Sequence, residues 1–302
     1  MTMKKAPVEN IDHLMAEVRA QIDQIDAAMH ELLLRRAEMI VQARDIKTKS
    51  KQKTFIRPGR EAQILRAHAA RPQGHLPAGM VSRVWREIIS DSLLSENPTF
   101  KVGVFVPDKG EDLWDVARDH FGSHTPLVPM KSAAAAIKAL QDKKISAAIV
   151  PPPVDGEKEP WWPVLLADKK NEITVFHSVP FEVLKPGRSN ARNSLPTGLV
   201  IGPVYPELTG DDRSMLALHC EHVPEAEMKR LFSKAGYKVR VFASKSLGRS
   251  SASPTAYYAE VEGYVGRNDT RLGRIKAMMG SRLKHLSPLG GYPVPLKSGR
   301  KA

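Results

Sequence analysis

Residues 8–57 contain neither glycine nor proline, and from residue 13 to 47 apolar side chains recur at alternating spacings of three and four. Met15, Val18, Ile22, Ile25, Met29, Leu32, Arg36, Met39, Ala43 and Ile46 form one seam of a helix, and nine of these ten are apolar. A helix of about 35 residues is roughly 50 Å long. That is too long to bury its seam alone in a small domain, so the pattern predicts partner helices, one of them from a second chain. Pro58 suits the first turn of a short second helix in "RPGREAQILRAHAAR", and "RPQGHLPAG" reads as a loop. A third helix starts near Pro77, with Val81, Val84, Trp85, Ile88 and Ile89 on its inner face.

From "NPTFKVGVFV" the period changes. "KVGVFV", "TPLVPM" and "ISAAIVPPP" read as short apolar strands of the parallel type, separated by helices in "GEDLWDVARDHFG" and "SAAAAIKALQDKK". Residues 151–163 and 185–196 read as loops. Further on, "DRSMLALHCE", "YKVRVFASKSL", "TAYYAEVEGYVG" and "RLKHLSPLGGYP" are strands, with helices in "PEAEMKRLFSKAG" and "NDTRLGRIKAMMG". That order, βαββαβ, is the ferredoxin-like arrangement. The fold class expected is multidomain α plus α/β, with an all-helical domain over 12–97, an α/β lobe over 101–205 and a ferredoxin-like domain over 210–295.

Composition narrows the function. A net charge of +13 suggests anionic partners. Seven Lys/Arg against one Asp lie in residues 44–60, yet only Phe55 is aromatic there and no nucleic-acid motif is present. A solvated basic loop and a surface that attracts small anions both fit. No apolar run approaches ~18 residues, so no membrane span is expected. One cysteine, Cys220, excludes an internal disulfide and fits the cytoplasm. It reads as a small buried residue rather than a nucleophile. His13, His30, His68 and His75 lack metal-ligand spacing, so neither metal nor cofactor is expected. Trp161 and Trp162 read as packing residues.

Arg36 is the anomaly. A guanidinium in an apolar seam loses solvation that a partner charge must return, at a cost of several kcal/mol. It could instead set register or snorkel outward. Lys47 lies 11 residues on, about 16 Å along nearly the same face, so the two side chains can lean together around a small dianion. Arg19 lies 17 residues earlier, about 25 Å away, and can join them only from an antiparallel copy of the helix. This geometry predicts an intertwined homodimer with shared sites.

"VRAQIDQID", "LLLRRAEMIVQARDIK", "FIRPGREAQIL" and "SRVWREIISDS" resemble, in order, the all-helical class of chorismate mutase in the form fused to prephenate dehydratase in bacteria. The resemblance implies that Arg36, Lys47 and a partner's Arg19 clamp the two carboxylates and the ether oxygen of chorismate. It implies that Arg60 and Glu61 open the second helix, with Glu61 accepting from the ring hydroxyl, and that Ser82 and Arg86 are the third helix's contribution. Arg57 and Arg86 depart from the usual Asp and Gln.

The second half resembles a shortened prephenate dehydratase followed by an ACT domain, ending on the signature at Leu289–Pro293. Its catalytic motifs are altered. Thr-Arg-Phe has become Thr197, Gly198, Leu199, a Glu-Asn-Ser stretch has become "VPPPVDG", and the Glu-Ser-Arg-Pro effector motif reads Ala243, Ser244, Lys245, Ser246. A chorismate mutase with a degenerate appendage is expected. The alternatives are a bifunctional mutase/dehydratase and a non-enzymatic ACT regulator.

Overall fold

The structure, a computed structural model, describes residues 8–297 except 51–54, 78, 110–111, 168–171, 184–195, 249 and 251–252. Two expected features, the 185–196 loop and part of the basic 44–60 stretch, therefore lie wholly or partly outside the described residues. The chain divides into two compact units, Met1–Lys53 and Thr54–Ala302.

In the first unit, α1 runs Val8–Lys49 without a break, 42 residues, longer than the seam alone required. It stops where the N–H of Ser50 bonds Ile46 O and the Ser50 hydroxyl bonds Lys47 O. The seam is laid out as the spacing predicts, but it is in water. Leu32 is 63% exposed and Ile46 67%, and Met15, Val18, Ile22, Ile25, Met29 and Met39 are exposed too. An apolar stripe of this length, broken only at Arg36, is the signature of a helix that packs against others.

The second unit contains, in order, α2 (Pro58–Ala69), α3 (Met80–Glu96), β1 (Val102–Phe105), α4 (Trp114–Phe121), β2 (Leu127–Met130), α5 (Ala133–Gln141) and β3 (Ala147–Val150). These are followed by α6 (Trp162–Ala167), β4 (Thr174–Val179), β5 (Glu182–Val183), β6 (Gly198–Gly202), β7 (Asp212–Cys220) and α7 (Glu225–Ala235). The last elements are β8 (Val239–Ser246), β9 (Thr255–Glu262), α8 (Thr270–Met279), β10 (Leu283–Pro293) and β11 (Leu296–Lys297). Strands β1, β2 and β3 are parallel as expected, whereas β6 runs antiparallel to both β3 and β4. Every residue of β4 and β6 is buried. Buried on both faces, they lack alternation, and the sequence pattern left them unassigned.

Two expected boundaries fall within the second compact unit. The lobes set at 101–205 and 210–295 share one nine-stranded sheet, β2-β1-β3-β6-β4-β10-β7-β9-β8. Within it the last four strands keep the expected βαββαβ order. The join is β10 against β4 at Gly290 opposite Val175. Gly290 has φ +113°, and a Cβ there would lie 2.1 Å from the Val175 carbonyl oxygen, so the close approach of the two strands demands glycine. Two residues on, the Tyr292 hydroxyl donates to buried Glu260 at 2.9 Å. The Leu289–Pro293 signature is thus the weld of the sheet.

The other boundary is the one at 97. Helices α2 and α3 belong with the sheet body, not with α1. Ala62 and Leu65 of α2 pack with Phe181 in a small core cluster. The Arg66 guanidinium bonds Thr209 Oγ1 at 2.8 Å and the carbonyls of Asp211 and Val294 at 2.8 and 3.0 Å. On α3 the fully buried positions are Arg86 and Ser90, while Val84 is exposed and Val81, Trp85, Ile88 and Ile89 are half-buried. The expected inner face was therefore read about one position off, because polar residues occupy the true one. Trp161, Trp162 and Cys220 are buried, as packing residues should be.

Replacing Gly290 with Ala should destabilise the second unit by about 3 kcal/mol or more, since backbone strain and steric overlap act together. A denaturant midpoint unchanged from that of the parent protein would contradict the weld.

Candidate functional site

In α1, Arg36 and Lys47 are half-buried, while Arg19 is exposed. Burial lowers the Arg36 pKa from its ordinary value, but a guanidinium stays cationic at neutral pH. The first unit thus carries a cation set into an apolar stripe.

The remaining candidates are in the second unit. Arg57 and Arg60 are exposed. The Arg57 Nε donates to Glu207 Oε1 at 2.6 Å, a surface pair worth at most about 1 kcal/mol. Pro at the first turn of α2 and the N–H of Glu61 bonded to Arg57 O start that helix and point Glu61 inward. There Glu61 Oε2 accepts from Arg86 Nη1 at 2.9 Å. Arg86 is only 6% exposed and lies 5.4 Å from the Phe181 ring centroid. Burial raises the Glu61 pKa and lowers that of Arg86, and each partner's charge opposes the shift of the other. Ser82 lies one turn before Arg86, and both line a cavity of about 80 Å³ with Leu65, His120 and Phe181.

Two residues that sequence reasoning passed over complete this centre. His120, at the end of α4, and His177, in β4, are both buried with ring centroids 4.5 Å apart. Burial, then the Arg86 charge, pushes His177 down to about 3 and His120 well below its usual range, so both rings are neutral at pH 7. Among the described residues, Arg86 Nη2, His120 Nδ1, His177 Nε2 and Ser178 Oγ are buried without a hydrogen-bond partner. A lone histidine inside the apolar run "ITVFHSV" was the one available signal. Glu61 and Arg86, expected as substrate ligands, are bonded to each other in this structure.

A family model described as chorismate mutase type II matches residues 18–97, the span from α1 to the end of α3. Residues 18–97 thus resemble a chorismate mutase type II domain. A bifunctional chorismate mutase/prephenate dehydratase from Pseudomonas aeruginosa is 30% identical over 144 residues, 46% of this chain and 39% of that relative. The match thus spans about two-fifths of the relative's length. Among solved structures, a quorum-quenching acylase has a TM-score of 0.46 at 17% identity, covering 64% of this chain and 95% of that one. A prephenate dehydratase from Streptococcus mutans has a TM-score of 0.43 at 19% identity, covering 66% and 99%. Likeness at this level decides neither fold detail nor activity. The chorismate mutase type II domain straddles the division at Lys53, with α1 in one unit and α2 and α3 in the other.

Breaking the buried pair from either side should cost about 3–5 kcal/mol, because the survivor keeps an uncompensated charge. Glu61→Ala and Arg86→Ala should each show this loss in urea unfolding, and Glu61→Leu with Arg86→Met together should recover most of it. Single variants as stable as the parent would mean that water reaches the pair.

Proposed function

We propose that the chain is a chorismate mutase acting as a homodimer, and that its C-terminal body has no dehydratase chemistry. The observation that carries this reading is the apolar seam of α1, exposed over most of its length and interrupted by Arg36, with Lys47 three turns on. An antiparallel second copy covers such a seam and brings its Arg19 toward Arg36 and Lys47. Conversion of chorismate to prephenate is an intramolecular rearrangement and requires no nucleophile or metal. It requires that a folded conformer be held and that negative charge growing on the ether oxygen be met. Arginines grip carboxylates in bidentate fashion and a lysine supplies a compact charge. Arg57, Arg60, Glu61, Ser82 and Arg86 complete the proposed contacts.

The loss of dehydratase chemistry is supported at Gly198. It is buried in β6, where even a Cβ would lie 2.9 Å from Ile149 Cγ2, so the motif arginine has no room there. The altered effector motif lies on β8, where Ala243 is buried and the Ser244 N–H donates to Asp155 Oδ1 at 3.0 Å. We read this half as an ACT-like and dehydratase-like appendage. Among the described residues no helix is long and apolar enough to cross a membrane, and no nucleic-acid partner is proposed. A cytoplasmic location fits the single buried cysteine.

The deciding assay follows chorismate loss and prephenate formation at neutral pH and looks for phenylpyruvate without acid treatment. Prephenate should accumulate. Arg36→Leu should lower turnover by about 100- to 1,000-fold and leave the dimer intact, since leucine suits the seam. Near-normal turnover in that variant would make the arginine structural.

Arg19→Ala and Lys47→Ala homodimers should each be inactive, because both of their sites lack one cation. Co-refolded mixtures should regain activity, as a heterodimer rebuilds one site from unmutated halves. Verified heterodimers without activity would exclude the borrowed arginine.

A further inference from the structure

We propose that Glu61, His120 and His177 form a binding site for one divalent transition-metal ion of the zinc class. A ring nitrogen from each histidine and a carboxylate oxygen of Glu61 all lie within 4.8 Å of one another. Bonds of 2.0–2.2 Å to a tetrahedral ion bring such atoms to about 3.4 Å apart, a closure that side-chain rotation supplies. The three residues come from α2, α4 and β4, so the fold assembles the group rather than any local sequence spacing.

The surroundings suit a cation held by two neutral imidazoles and one carboxylate. The His177 Nδ1 lies 2.8 Å from the Ser178 carbonyl oxygen. The Ser178 N–H also lies 2.9 Å from Nδ1. In the tautomer that carries its proton on Nδ1 and donates to the carbonyl, the one the proposal requires, Nε2, buried and without a partner, is the ligand atom, the usual outer-shell arrangement for a metal-binding histidine. His120 likewise has a buried, unpartnered Nδ1. Arg86 orients the Glu61 carboxylate by taking one of its oxygens at 2.9 Å. An anion is the poorer occupant, because two neutral imidazoles and a carboxylate converge as electron-pair donors. The Arg86 charge opposes a second cation, and Asp119 and Glu182, which line the neighbouring cavity, offset it. That cavity, about 80 Å³, reaches His120 and has room for water as a further ligand.

The test uses full-length protein stripped with a chelator and titrated with Co²⁺, read by visible ligand-field absorption, with Zn²⁺ as competitor. One equivalent per chain should bind with low-symmetry or tetrahedral bands, and Zn²⁺ should displace it. His120→Ala and His177→Ala should each weaken binding by at least about 10- to 100-fold, whereas His68→Ala should leave it unchanged. Glu61→Gln keeps the size and a hydrogen bond to Arg86, and should weaken binding if the alanine variants do not fold. Absence of the bands in the parent protein, or equal affinity in all folded variants, would overturn the site. No turnover is read, so the outcome is independent of the mutase reading.

Discussion

A guanidinium taken out of water has to be met by an anion, and this chain buries arginine in both of its units. Arg86 meets Glu61 inside the sheet body, at 2.9 Å and nearly sealed from solvent. Arg36 stands half-buried in a stripe whose other members are apolar. The first pair fixes α3 against α2 and, through Phe181 and the two histidines, against the sheet. The second arginine is where, on the proposed function, a carboxylate of the substrate would bind. In both cases the apolar surroundings make the charge selective, since desolvation is recovered only by a partner of the right sign at the right distance.

Much of this was legible beforehand, and the reasons differ by element. Helix α1 was readable because its period persists without a single glycine or proline, and α2 because Pro58 marks its first turn. The six elements from β7 to β10 were readable from their strand and helix order, with helices that end at Gly236 and Gly280. Strands β4 and β6, buried throughout and without alternation, were left unassigned. The inner face of α3 was misplaced because Arg86 and Ser90, polar in the sequence, are the residues that are buried.

The site shows the same division. Arg19, Arg36 and Lys47 are spaced along one helix, so geometry could be drawn from numbering alone. The group of Glu61, Arg86, His120 and His177 draws on four elements, and no local spacing announces it. Histidines were judged by sequence proximity, a test suited to a metal site built within one loop or helix. His120 and His177 are 57 residues apart and meet only because α4 lies along β4.

The division of the chain at Lys53 has an evolutionary meaning. A domain strung end to end with its neighbour can be gained, lost or exchanged as a cassette, because its removal leaves no raw surface. Here the second and third helices of the chorismate mutase type II domain form a wall of the neighbouring body, through Ala62, Leu65, Arg66 and Arg86. Excising them would strip the cover from Phe181 and orphan the histidine pair. Such a body can be kept under selection as a scaffold, whatever chemistry of its own it performs. The helices would then hold it in the genome, and it would hold the helices in shape.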